Sequence, residues 1–208
     1  MFEAGRLAES AKRSIVILLN KSLELEYAYI INYPRIIDQL LNIDKTPDPN
    51  SKLRQSLEAL GKSSAEHFHW TAGLIEALGG EPQWQTATID RIVDVPALLL
   101  AQLENAKASV SLFEQAKNVA EHSQDEGVLT KAKAALGNVV SGTAERNNAV
   151  RLLEKLAGEE EAHVATLKNI ISELDTQTQK QLPSQSPTED VNPDQPPHSV
   201  RDQHHQEH

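Results

Sequence analysis

The chain has 208 residues, with 30 acidic against 20 basic side chains and a formal net charge of -10, and this length suffices for one well-buried domain. The acidic surplus, without any cluster of Lys and Arg, argues against nucleic acid as a partner. The absence of cysteine excludes disulfides, thiolate zinc sites and rubredoxin-type iron centres. Any metal must therefore be held by histidine and carboxylate.

The sequence lacks the patterns of export and of membrane insertion. The N-terminal segment contains an apolar run of only five residues, Ile15 to Leu19, and no small-residue cleavage signature, which argues against a signal peptide. Nowhere do about eighteen apolar residues run together, as a transmembrane helix would require. We therefore predict a cytoplasmic protein with no membrane partner.

Apolar residues at heptad-like spacing, without strand alternation, predict long amphipathic helices. The first helix covers roughly 8–43, and Pro34 is expected to kink its later half. The second starts near Ser51 and stops at Gly79 and Gly80. A long connection follows the second helix, whereas a short loop with two prolines joins the first to the second.

The second half of the chain predicts two more helices. The third begins at Pro96, a residue suited to a first helical turn. A stretch punctuated by glycine follows over 124–142, with a short extra helix around 128–136, and the fourth helix runs from near Thr143 to about Leu174. Four helices with one long crossover predict an all-α four-helix bundle over residues 1–176.

From Gln177 onward the composition changes to Gln, Pro, Ser and Asp with few large apolar residues. Such a segment cannot bury enough surface to offset its ordering entropy, so we predict that 177–208 is a disordered tail. Four histidines of this tail could bind divalent metal loosely: His198, His204, His205 and His208. A tail without a specific role is the favoured interpretation.

Ionisable residues on the apolar stripes are the informative ones, because burying them is costly unless they are paired or bound to metal. On the first helix Glu26 takes a stripe position between Leu23 and Ile30. On the fourth helix Glu160 and His163 continue the apolar stripe. Their spacing projects both side chains from one face, so that they can converge on one cation.

The second helix carries two histidines that are two positions apart. Its apolar stripe places His67 at the centre, whereas His69 lies about 200° away around the helix. Glu66 falls about 100° off the stripe and does not point directly inward. We therefore favour His67 as the ligand, with Ser64 in the place where a carboxylate partner would stand.

The other carboxylates near the stripes are weaker candidates. Glu104 lies one position off the stripe of the third helix and could pair with Lys107 as an ordinary surface group. Glu159 and Glu161 flank the stripe of the fourth helix and are predicted to be surface charges. The stripe of the third helix itself contains no carboxylate: Leu99, Leu103, Ala106, Val110 and Phe113.

Each candidate also has a purely structural alternative. Glu160 and His163 could form a hydrogen-bonded pair in the core. Glu26 could hydrogen-bond to Tyr29 or Tyr33, and the histidine of the second helix could be a core residue with its hydrogen bonds satisfied. The metal interpretation leads because three helices contribute inward-facing groups.

Three segments carry a resemblance to a known family: EYAYIINY (26–33), HFHWTAGLIEALGGEP (67–82) and EEEAHV (159–164). They resemble the helix signatures of ferritin-like di-iron proteins, the bacterioferritin and rubrerythrin group, over roughly 14–174. The resemblance implies a ferritin-like bundle with a carboxylate-bridged pair of metal ions, usually iron. It also implies reaction of that metal with oxygen or peroxide, either to mineralise iron or to reduce or oxidise a substrate.

The resemblance assigns metal-ligand positions to Glu26, His67, Glu160 and His163, four of the six positions of the family. At the other two positions the chain departs from the pattern, with Ser64 on the second helix and an alanine on the third.

That alanine is Ala106. Glu66 and Glu104 could replace the missing carboxylates through a shifted register and complete a site for two ions. Without them, a mononuclear site of two Glu and two His is expected. We therefore predict one or two Fe or Mn ions per chain.

The expected function is that of an oxidoreductase-like metalloprotein of the non-haem iron or manganese type, with oxygen or peroxide as substrate. One alternative is iron oxidation and storage, which requires a hollow shell of many subunits. Another is a bundle without metal that acts as a structural or partner-binding scaffold. We further predict a homodimer.

Overall fold

A computed structural model of the protein describes residues 2–43, 52–84, 94–123 and 148–181. Within these ranges the chain forms four α-helices and no strand, which confirms the predicted all-α four-helix bundle. The helices are α1 (Phe2–Ile43), α2 (Lys52–Ala77), α3 (Val95–His122) and α4 (Asn148–Gln181).

The end of α2 follows from its two glycines, as predicted. Gly79 has a φ of 78°, a left-handed conformation that glycine adopts without steric cost. Its N–H donates to the carbonyl of Glu76, and the N–H of Gly80 donates to the carbonyl of Ile75, both at 2.9 Å. This pair of hydrogen bonds satisfies the last carbonyls and ends the helix.

The start of α3 is set by Asp94, whose carboxylate accepts a hydrogen bond from the N–H of Ala97 at 3.1 Å. Pro96 stands in the first turn, where its missing N–H leaves no helical hydrogen bond unmade. The predicted start near Pro96 is therefore confirmed. In α1 the helix continues through Pro34, and the kink expected there stays a prediction.

The packing order places two pairs of helices on the diagonals of the bundle. Helix α1 packs against α2 and α3, and α4 packs against α3 and α2. The pairs α1 with α4 and α2 with α3 therefore lie diagonally across the bundle.

Two buried apolar clusters show the directions of the helices. The first cluster joins the N-terminal parts of α1 and α4 to the C-terminal parts of α2 and α3: Ile15, Leu19, Leu23, Leu74, Ile75, Phe113, Ala116, Ala120, Ala149, Leu152, Leu153, Leu156 and Ala157. The second joins the opposite parts of the same helices: Tyr29, Tyr33, Ile36, Leu57, Leu60, Val95, Leu98, Leu99, Leu103, Ala106, Leu167 and Ile170. Each diagonal pair is therefore parallel.

This arrangement requires one connection along the length of the bundle. Helices α2 and α3 end at the same end of the bundle, so α3 begins at the end opposite to the C-terminus of α2. The chain between Ala77 and Val95 must join these two ends, which confirms the predicted crossover between the second and third helices.

Two helices are longer than expected. Helix α1 already begins at Phe2, and α4 continues past Leu174 to Gln181, so it includes the first residues of the segment assigned to the tail. The rest of that tail and the predicted short helix around 128–136 lie outside the described residues. Of the helices that are described, none combines the length and apolarity that a membrane span requires.

The turn after α2 leaves no room for a side chain at Gly80. A Cβ atom there would lie 2.7 Å from Cγ1 of Val16, whereas one at Gly73 would meet nothing within 4 Å. We expect Gly80→Ala to lower the free energy of unfolding by about 1–3 kcal/mol, the usual cost of overpacking, and Val16→Ala to restore part of it. Urea unfolding measures both. Gly73→Ala is the control and should leave stability unchanged or raise it, since alanine favours the helix.

Candidate metal site

A layer of buried polar residues separates the two apolar clusters at the middle of the bundle. Every member is less than a tenth exposed and falls in sequence between residues of the two clusters: Glu26, Ser64, His67, Thr71, Ser109, Glu160 and His163. Helix periodicity explains this placement, because each replaces an aliphatic residue on an inward-facing stripe. All four helices contribute to the layer.

Three of these side chains, from α2 and α4, converge. One ligand atom from each of His67, Glu160 and His163 lies within 4.8 Å of the others. Oε1 of Glu160 is 2.7 Å from Nδ1 of His67 and 3.0 Å from Nδ1 of His163. The two imidazole rings stack with centroids 5.1 Å apart. These three side chains could hold a metal ion, and they form the one such group among the described residues.

Glu26 of α1 borders this group. Its Oε1 lies 3.7 Å from Nδ1 of His67, too far for a hydrogen bond, and neither of its carboxylate oxygens has a hydrogen-bond partner. The hydroxyl groups of Tyr29 and Tyr33 are also without partners. The structural alternative, a hydrogen bond from one of these tyrosine hydroxyls to the carboxylate of Glu26, is therefore not formed.

Several atoms of the cluster lack the partners that burial demands. Besides both oxygens of Glu26, Oε2 of Glu160 has no hydrogen bond, and Nδ1 of His163 is close to Glu160 without hydrogen-bond geometry. A buried polar atom without a partner lowers the stability of the fold by about 1–3 kcal/mol, and such atoms are rare in native structures. A cation bound among these side chains would satisfy them, so the donor set fits a metal ion.

Burial and mutual contact shift the pKa values of three of these groups. Burial raises the pKa of Glu26 to about 8. Burial acts in the same direction on Glu160, but contacts with His163 and His67 outweigh it and lower the pKa of Glu160 to about 2. Burial would lower the pKa of His67, but contacts with Glu160 and Glu26 raise it to about 10. Near pH 7 the group without metal is therefore a protonated Glu26 beside an imidazolium and carboxylate pair.

The structure does not bring the other two predicted ligands to this group. Glu66 is exposed on α2. Glu104 is exposed on α3, and its carboxylate pairs with Nζ of Lys107 at 2.6 Å. Ser64 and Ala106 are fully buried at the two positions where the resemblance would place carboxylates.

One contact was missed in the sequence. Glu159 was predicted to be a surface charge, yet its Oε2 lies 2.8 Å from Nε2 of His67, and its side chain is only 38% exposed. Its neighbour Glu161 is exposed, as predicted, and so is His69. Periodicity could not identify Glu159 because it lies off the stripe and reaches His67 through the length of its side chain. The available signal was its place directly before Glu160 on the same turn.

A comparison of the chain with known protein families, with curated proteins and with solved structures finds no match. The side chains of the polar layer are therefore the features of the chain that point to a function.

Proposed function

We propose that this protein binds a transition-metal ion, iron or manganese, at His67, Glu160 and His163, with Glu26 as an additional carboxylate, and that it uses this ion in a reaction with oxygen or peroxide. The observation that carries the proposal is the convergence of three buried ligand atoms within 4.8 Å, together with the unpaired polar atoms around them.

The donor set favours particular metals. Two imidazoles and one carboxylate are typical of non-haem Fe(II) sites that retain open coordination positions. Glu26 and Glu160 would together balance the charge of a divalent ion if both are ionised. A bound iron or manganese ion would supply redox and Lewis-acid chemistry towards oxygen or peroxide.

The residues of the chain have separate roles in this proposal. The apolar clusters on both sides of the layer would keep bulk water away from a bound ion, which would strengthen the attraction between the ion and the carboxylates. Glu26 is protonated near pH 7 without metal, since its pKa is about 8. It can release this proton when a cation arrives, because metal ligands bind in their deprotonated form.

The exposure of Glu66 and Glu104 supports a single ion rather than a pair. We also propose that the chain belongs to the ferritin-like group. This membership is supported by the single crossover and by the burial in one layer of Glu26, His67, Glu160 and His163. The cytoplasmic location and the homodimer stay predictions from the sequence.

The test is the metal content of the full chain after anaerobic loading with Fe(II) or Mn(II) and removal of loosely bound metal on a chelating resin. We expect about one ion per chain by elemental analysis. The matched control replaces four histidines of the tail by alanine: His198, His204, His205 and His208. This variant should bind the same amount of metal as wild type.

Two other results have distinct meanings. About two ions per chain would mean that Glu66 or Glu104 moves to complete a di-metal site. If the chain stays without metal and neither ion changes its melting temperature, metal binding is contradicted, and the alternative of a structural or partner-binding scaffold is favoured.

The redox part of the proposal has its own measurement. Protein loaded with iron should consume oxygen or peroxide faster than the same concentration of free iron, and the protein without metal should be inactive. If loaded protein is no faster than free iron, the ion is bound for another purpose, and the redox proposal is wrong.

A further inference from the structure

The imidazole of His67 contacts a different carboxylate on each side. Its Nδ1 is 2.7 Å from Oε1 of Glu160, and its Nε2 is 2.8 Å from Oε2 of Glu159. Oγ of Ser63 lies 3.3 Å from the same Nε2. Two consecutive residues of α4, Glu159 and Glu160, therefore contact opposite edges of the His67 ring of α2.

The contact with Glu159 decides which nitrogen can bind a metal. An ionised carboxylate can only accept hydrogen bonds, so Nε2 of His67 must carry a hydrogen and donate it. When the ring gives up its second hydrogen to bind a metal, that hydrogen leaves Nδ1, and the lone pair then lies on Nδ1. This atom faces Glu160 and lies 3.7 Å from Glu26, and it is therefore the nitrogen directed into the group.

Glu159 is itself held in place. Its Oε1 lies 3.7 Å from Nζ of Lys155, one turn earlier on α4. The same Nζ stands 3.8 Å from the centroid of the Trp70 ring, a cation–π contact. The Trp70 ring in turn lies 6.0 Å from the ring of His67. Lys155 thus lies beside both the carboxylate of Glu159 and the aromatic neighbour of His67.

We propose that Glu159 is a positioning residue for the metal, which fixes His67 in the tautomer with hydrogen on Nε2 and thereby makes Nδ1 the ligand atom. This inference rests on the proposed metal-binding function. Histidine ligands commonly donate their second N–H to a carboxylate, which sets the ring orientation and raises the basicity of the ligand nitrogen. Glu159, which directly precedes the proposed ligand Glu160, provides that carboxylate.

The test compares the binding of Zn²⁺, a diamagnetic probe, by the full chain and its variants. Glu159→Ala should weaken Zn²⁺ affinity by about 10–100-fold, the usual effect of losing such a partner. Glu159→Gln should fall between wild type and alanine, because its amide oxygen still accepts a hydrogen bond. Glu161→Ala, the same change at an exposed position two residues away, should stay within about 2-fold of wild type.

A nitrogen spectrum separates positioning from a general effect on the fold. In wild type loaded with Zn²⁺, ¹⁵N-detected correlations of His67, assigned by their loss in His67→Gln, should show hydrogen on Nε2 and zinc on Nδ1. Equal affinity in Glu159→Ala, or zinc on Nε2, would overturn the positioning role and leave metal binding intact. No Zn²⁺, Fe(II) or Mn(II) binding by wild type would overturn the proposed function and this inference with it.

Discussion

His163→Ala is expected to lower the affinity of the chain for Fe(II) or Mn(II) by at least about 100-fold, since loss of a mere hydrogen-bond partner of a ligand already costs 10–100-fold. The substitution removes one of the three ligand atoms that converge within 4.8 Å, and the alanine offers no replacement. Competition with a chromophoric chelator measures the affinity.

The matched control is His69→Ala, which removes an exposed imidazole from α2 and should leave the affinity unchanged. Circular dichroism of the chains without metal establishes that both variants fold. Because His163 is buried, His163→Gln provides a second variant of closer size in case the alanine chain unfolds. If folded His163 variants bind either metal as tightly as wild type does, His163 is not a ligand.

The inward positions of the site could be predicted because helices are periodic. Glu26, His67, Glu160 and His163 each take the place of an aliphatic residue at helical spacing, and all four are buried in the structure. The same argument placed His69 on the surface, where it lies. A stripe fixes the direction of a side chain from its backbone, and for these residues direction was enough.

Distances and partners between helices could not be predicted in this way. Glu159 starts off the stripe, and its contact with His67 depends on how far α4 stands from α2 and on the rotamer that Lys155 helps to hold. For Glu66 and Glu104 the sequence left open a shifted register. The structure places both on the surface, because the apolar stripes of α2 and α3 dictate their rotation.

The fold followed from the sequence more completely than the site did. Helix positions and the crossover depend on local signals, such as the glycine pair after α2 and Asp94 before α3. The lengths of α1 and α4 were underestimated, because residues 2–7 of α1 and 175–181 of α4 do not repeat apolar residues at helical spacing, and such ends are the least certain part of a helix.

The buried polar layer lowers the free energy of unfolding of the protein without metal. We expect Glu26 to make this free energy depend on pH. The pKa of this carboxyl is about 8 in the folded chain, against 4.5 in the reference state. Between these values the folded chain holds a proton that the unfolded chain has lost, so stability must fall as pH rises. The fall is about 1.4 kcal/mol per pH unit across this window, or about 3 kcal/mol by pH 7.

The other two shifted groups do not reverse this trend. His67, whose pKa is raised from 6.5 to about 10, adds stability that is full below pH 6.5 and is lost as pH rises towards 10. Glu160, whose pKa is lowered from 4.5 to about 2, contributes stability above pH 4.5 and loses it only as pH falls towards 2. Between pH 5 and 6.5 the fall in stability therefore comes from Glu26, and between pH 6.5 and 8 Glu26 and His67 both favour the lower pH.

We expect Glu26→Gln to remove the part of this slope that belongs to Glu26, because the amide cannot ionise. In chelator, urea unfolding should give Glu26→Gln and wild type similar stability near pH 5 and make the variant more stable by about 3 kcal/mol at pH 7. Glu24→Gln, a partly exposed position two residues away, should follow wild type at every pH. With saturating Fe(II) or Mn(II) the order should reverse, since the ionised carboxylate is then the form that binds. Parallel pH profiles of Glu26→Gln and wild type in chelator would contradict this expectation. They would show that Glu26 is already ionised in the folded chain without metal, and that a group other than a metal ion stabilises its buried charge.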